Sequence, residues 1–195
     1  MKSLTSNRSD VVASVVSEIL GPPLLITILV VQVAVRFGVP PMQAIVAILS
    51  LAVAPYVLTI ALSRMGKVTD RYVANRKHRP IILLLMLVIV VAGLVALALM
   101  GATAPMLGLS AMAATALIVV AIISAFWKIS VHATIAAFFV GVQVILYGYA
   151  GLISIVVVPV VYWARLHLKL HTHAQLLGGV LLGVMLAGGY SLILS

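Results

Sequence analysis

Cysteine is absent from this 195-residue chain, acidic residues number only three, and charged residues of both signs make up 8%. Without cysteine there are no disulfides and no thiolate metal sites, and the redox compartment goes unmarked. So little charge leaves too little polar surface to cover the core of a soluble domain. With 65% hydrophobic residues and a mean hydropathy of +1.33, the composition implies an integral membrane protein. Alternating apolar and polar residues are also missing. The long continuous apolar runs therefore read as helices and exclude a membrane β-barrel. No A-x-A-like cleavage site follows a short apolar core near the start, so "MKSLTSNRSDVVASVVSEILGPPLL" reads as a retained first segment. There is no internal repeat and no low-complexity tail.

What is present is a series of apolar runs of about 20 residues, the length that crosses a bilayer. They fall at 13–36, 41–63, 80–100, 106–127, 132–149, 152–165 and 173–194. The expected fold is all-α, a polytopic transmembrane helical bundle of about six to seven spans, forming one integral membrane domain over 1–195. The breaks carry Gly and Pro, as in "RFGVPP" (36–41), "GATAP" (101–105) and "YGYAG" (147–151). Pro22, Pro23 and Pro55 fall inside spans and predict kinks. Gly178, Gly179, Gly183, Gly188 and Gly189 predict a close-packing face on the last helix.

Twelve Lys and Arg against three acids give a net charge of +9. On a soluble chain that balance would suggest nucleic acid. Here the cations lie in short loops between apolar spans, so nucleic acid is not expected; phospholipid headgroups or a phosphorylated substrate are. The hydrophilic stretches "SRMGKVTDRYVANRKHRP" (63–80), "WKISVH" (127–132) and "ARLHLKLHTHAQ" (164–175) each follow an even-numbered span. They therefore emerge on one side with the N-terminus, and that side holds every Lys and Arg except Arg36. By the positive-inside rule this face is cytoplasmic, in an inner (plasma) membrane of bacterial type. Setting aside Arg76, Lys77, Arg79 and Arg165 as functional residues still leaves a strong one-sided excess.

Loops on one side bearing Arg, Lys, His and Ser form a cationic pocket at the membrane surface. Arginine offers planar bidentate hydrogen bonds to a phosphate, and lysine a point charge. Two histidines can divide phosphoryl transfer, one as nucleophile and one as general acid. The arginines can hold the charge on the equatorial oxygens, so the chemistry requires no metal and no cofactor.

The spacing of these residues resembles the type 2 phosphatidic acid phosphatase superfamily, whose signature is K-x6-R-P, then P-S-G-H, then S-R-x5-H-x3-D. "ARLHLKLHTHAQ" matches the third part through Arg165, His171 and, at the acid position, Gln175. "ISVH" supplies Ser130 and His132 of the second, and "NRKHRP" supplies Arg79 and Pro80 of the first. The resemblance covers roughly 64–183. It implies His171 as the nucleophile and His132 as the acid that protonates the leaving lipid oxygen. It also implies Arg165, Arg79 and Ser130 as phosphate holders, on a lipid phosphate substrate. The chain departs from the signature in three places. Tyr72 stands where the first-motif Lys belongs, making Arg76 and Lys77 the expected substitutes. Ala164 replaces the third-motif Ser. Gln175 replaces the Asp that holds the nucleophilic imidazole; its carbonyl can still accept from the ring N–H but brings no negative charge.

Other readings of the same residues stand beside this one. A catalytically weak or inactive lipid-binding or transport protein on the same scaffold would also keep the cationic loops. His167 and His171 are four apart with His173 close by, which is metal-ligand spacing, but no nearby carboxylate joins them and Lys169 opposes a cation. Glu18 is an acid at membrane depth and a candidate site residue on that ground alone. Asp70 reads as a loop cap or arginine partner. Trp127, Trp163, Tyr147 and Tyr149 read as interfacial aromatics.

Overall fold

The computed structural model describes residues 8–65 and 79–195. Among these residues every regular element is helical. Helix α1 (Arg8–Ile19) is followed by α2 (Pro22–Arg36), and the junction is Gly21, extended at φ −73° and ψ 166°. Pro22 and Pro23 occupy the first two positions of α2, where a missing N–H leaves no bond unmade. The two prolines thus begin a new helix instead of kinking the old one. The next pair behaves differently. Helix α3 (Pro41–Ile48) passes through a π-helical turn (Leu49–Val53) into α4 (Ala54–Arg64) with no extended residue between them. Pro55 has no N–H to offer the carbonyl of Leu51, and the wider π turn absorbs that mismatch.

The chain continues as α5 (Arg79–Leu99), α6 (Ala104–Phe126) and α7 (Val131–Tyr147). A 3₁₀ stretch (Gly148–Val156), α8 (Val157–His167) and α9 (His173–Leu194) complete it. Among the described residues six segments are long and apolar enough to cross a membrane: Arg8–Arg36, Pro41–Arg64, Ile81–Leu99, Ala104–Phe126, Val131–His167 and His173–Leu194. The 37-residue fifth segment is a hairpin. Gly148 takes φ +58°, a conformation closed to most side chains, and reverses the chain there. Gly151 then lies directly on the backbone of Gln143, so close that no Cβ would fit. The chain entering the hairpin meets the chain leaving it: Ser130 N–H donates to the Gln175 carbonyl at the start of α9 (3.2 Å), and Lys128 Nζ to the Leu170 carbonyl (2.8 Å). Among the described residues the bundle thus has six membrane-length segments, the fifth folded back on itself where the apolar runs 132–149 and 152–165 meet.

Contacts fix which loops share an end. Gln43 Nε2 donates to the Met100 carbonyl (3.0 Å) and Tyr190 Oη to the Pro105 carbonyl (3.1 Å). The α2–α3 turn, the α5–α6 turn and the C-terminal end of α9 thus lie together. The turns after α2 and α5 close with Gly38 (φ +62°) and Gly101 (φ +67°), the left-handed position that ends a helix and needs no Cβ. At the opposite end lie the 127–130 and 168–172 loops. Arg165 of α8 there donates to Ser17 of α1, and His167 meets Asp10.

Helices α7 and α9 make the closest packing. Gly179 and Gly183 press on the backbone carbonyls of Ser130 and Thr134, while Ala187 fills the space left by Gly141. Of the other expected contact glycines, Gly178 faces Trp127, Gly189 faces Met112, and Gly188 faces open space. A Cβ at position 183 would also come within 2.8 Å of Ala137 Cβ and of the Phe138 nitrogen. Gly183→Val is therefore expected to destabilise the bundle by about 1–3 kcal/mol. Thermal unfolding in detergent reads this, with Gly188→Val as a control that melts like the wild type. Equal melting of Gly183→Val and the wild type would show that the two helices do not need this close approach.

Large apolar side chains line the outside of the bundle, among them Val35, Leu99, Ile153 and Leu192, each more than three-quarters exposed. A soluble monomer rarely exposes contiguous apolar area beyond a few hundred Å². Among the described residues the only buried charged side chain is Arg165, 2% exposed.

Candidate functional site

Three local motifs build the site. Helix α8 ends in a Schellman turn: Lys169 N–H donates to the Leu166 carbonyl (2.9 Å) and Leu170 N–H to the Arg165 carbonyl (3.1 Å). Lys169 takes the left-handed position at φ +53°, where glycine is usual, and the chain turns sharply after Arg165. Three residues after Lys169, Thr172 caps α9. Its Oγ1 accepts from Gln175 N–H (3.4 Å), and Gln175 Oε1 accepts from Thr172 N–H (3.1 Å), a reciprocal capping box. His171 immediately precedes this cap, at the positive end of the α9 dipole. On the neighbouring leg Ser130 caps α7, its Oγ accepting from Ala133 N–H (3.4 Å), and His132 follows in the first helical turn.

These motifs deliver His132, Arg165 and His171 to the wall of one cavity of about 220 Å³. Ser17 and Glu18 of α1 join them there, and Tyr56 Oη approaches Glu18 Oε2 at 3.5 Å. Arg165 Nη1 donates to Ser17 Oγ (3.0 Å) with both residues buried, and His132 hydrogen-bonds the Ser17 backbone. The rest of the lining is overwhelmingly apolar, including Ile26 of α2, Met86 and Val90 of α5, and Leu117 and Val120 of α6. Between Ile82 and Val90 the cavity follows α5 for roughly 12 Å at 1.5 Å per residue. A cationic, histidine-bearing head thus opens onto an apolar shaft.

The residues singled out in the sequence do not all converge. Ser130 is completely buried, and its hydroxyl serves the α7 cap without lining the cavity. Gln175 uses its side-chain carbonyl in the capping box, a structural role beyond the one expected of it from the sequence. Arg79 is the first residue of α5, three positions before the cavity-lining Ile82. Arg76, Lys77 and Asp70 lie outside the described residues. The three clustered histidines part company: His171 lines the cavity, His167 Nε2 pairs with Asp10 (3.0 Å) and stacks on Trp163, and His173 Nδ1 bonds Tyr162 Oη (2.8 Å). Among the described residues no three His, Asp or Glu side chains gather as metal ligands.

Ser17 is the site residue that sequence reasoning misses. It lies 148 positions from Arg165. Its only signal is a small-residue spacing with Ala13 on the face that α1 buries against α8. Compared with protein-family models, curated proteins and solved structures, the chain has no match.

Proposed function

We propose that the chain is an integral membrane lipid phosphatase that hydrolyses a phosphomonoester or diphosphate on a lipid tail. The observation that carries this reading is the amphipathic cavity, which puts His132, His171 and Arg165 at the head of an apolar shaft. A lipid phosphate has the same division between an anionic head and an apolar tail. The resemblance of Arg165, His171, His132 and Arg79 to the type 2 phosphatidic acid phosphatase signature supports it independently.

In the proposed reaction a His171 ring nitrogen attacks phosphorus, and the bond from phosphorus to the lipid oxygen breaks. Protonated His132 gives its proton to that oxygen. His132 then takes a proton from water, which attacks the phosphohistidine; the P–N bond breaks and phosphate leaves. Arg165 neutralises the equatorial oxygens throughout, with Arg79 and the Arg76–Lys77 pair as further candidates. The test is phosphate release by the purified protein from phosphatidic acid, phosphatidylglycerophosphate and polyprenyl phosphates and diphosphates. Absence of release from all of them would end this reading. The capping role of Gln175 favours a second reading, a lipid-binding or transport protein without turnover. That reading predicts saturable binding of the same lipids with no phosphate released.

From the charge asymmetry we also propose that the site faces the cytoplasm from an inner (plasma) membrane. The cysteine-free chain makes this directly measurable with single-cysteine variants. Cysteine at position 68 should resist an impermeant thiol reagent added to intact cells, and cysteine at position 104 should react. The reverse pattern would invert the assignment.

A further inference from the structure

Helix α1 lies outside the stretch that carries the histidine motifs, yet it makes hydrogen bonds to both Arg165 and His132 at the cavity head. Both come from one residue. The Ser17 hydroxyl takes a hydrogen bond from Arg165 Nη1 at 3.0 Å, and the Ser17 backbone bonds His132. Ser17 is wholly buried and Arg165 nearly so, which makes this anchorage internal to the bundle and not a surface contact. Near the other end of α1, Asp10 meets His167 two residues beyond Arg165, so α1 is held to α8 at the buried arginine and again beyond it.

We propose that Ser17 is a positioning residue of the site, fixing the Arg165 guanidinium through its hydroxyl and the His132 ring through its backbone carbonyl. The inference rests on the phosphatase reading. A guanidinium on a long, flexible stem has many rotamers. An acceptor at one nitrogen selects among them and leaves the remaining N–H groups of the planar fork directed as a set. A backbone carbonyl can only accept, so it fixes one ring nitrogen of His132 as a donor and assigns proton exchange with substrate to the other. Through these two bonds the relative placement of the phosphate holder and the general acid is set by a single residue of α1.

The test is a double-mutant cycle on Ser17 and Arg165 in the full-length purified protein, read by vanadate inhibition. Thermal unfolding is measured alongside. Vanadate mimics pentacoordinate phosphorus and reports how well the cation is aimed. Ser17→Ala is expected to weaken vanadate inhibition about tenfold, the scale of a hydrogen bond to a charged group. In an Arg165→Ala background the same change should shift inhibition less than about twofold, because the group it positions is gone. Melting of Ser17→Ala within a few degrees of wild type is part of the expected result. Undiminished inhibition in Ser17→Ala, equal weakening in both backgrounds, or a collapse of melting would each overturn the positioning role while leaving the phosphatase reading intact. A wild-type protein that neither releases phosphate nor binds vanadate would overturn both.

Discussion

Replacing His171 with alanine is expected to abolish phosphate release, lowering kcat by about a thousandfold or more. The nucleophile splits one difficult displacement into two easier ones, and the groups that serve it lose most of their value in its absence. His132→Ala should fall between about 10² and 10⁴, the range for one general acid–base partner, and should recover most with substrates whose leaving group needs no proton. This difference separates the two histidines: an activated aryl phosphate would rescue His132→Ala and leave His171→Ala inactive. His173→Ala provides the internal comparison. His173 bonds Tyr162 and does not line the cavity, so its loss should change kcat by no more than a few fold. Steady-state kinetics on the three variants decides the matter. A His171→Ala protein that turns over like the wild type would remove the nucleophile from the account.

Arg165 carries the second large expectation. It is the buried charge among the described residues, aimed into the cavity that holds both histidines. Arg165→Ala should reduce kcat/KM by about 10²–10³, the loss seen when one donor to a developing oxyanion is removed. Arg165→Lys should recover only part of this. Lysine restores the positive charge but not the planar fork, and its ammonium cannot serve Ser17 and a phosphate together in the same geometry. The effect on stability should run the other way. A buried guanidinium is costly to desolvate, and an alanine removes that cost along with the hydrogen bond to Ser17. A folded but strongly impaired Arg165→Ala protein is therefore expected, seen as a retained melting transition with turnover that is reduced by about 10²–10³ but still measurable. An unfolded variant would mean that Arg165 chiefly supports the bundle.

The sequence made the legs of this fold legible because each is a long apolar run bounded by Gly, Pro or charge. Gly38, Gly101 and Gly148 sit at positive φ where the breaks fall. What it could not show is how Pro22 and Pro55 differ. Both read as kinks, yet Gly21 lets the chain extend and restart before Pro22, while the π turn before Pro55 keeps the helix continuous. The convergence of His132, Arg165 and His171 was legible because fixed spacings put them at the same ends of neighbouring legs. The capping role of Gln175 was not, since it depends on the backbone that Thr172 adopts at the start of α9. Ser17 was illegible for a different reason: its partner lies at the far end of the chain, and serine on a buried helical face usually bonds its own backbone.

The most direct test of the account is to trap the intermediate. Purified protein would be mixed briefly with a lipid carrying labelled phosphate, quenched in base, and mapped by peptide analysis. Base preserves a phosphohistidine that acid would destroy. The account predicts label on the peptide bearing His171, absent in His171→Ala and accumulating in His132→Ala with an activated substrate. Phosphate release by the wild type with no label on His171, or label that persists in His171→Ala, would contradict it.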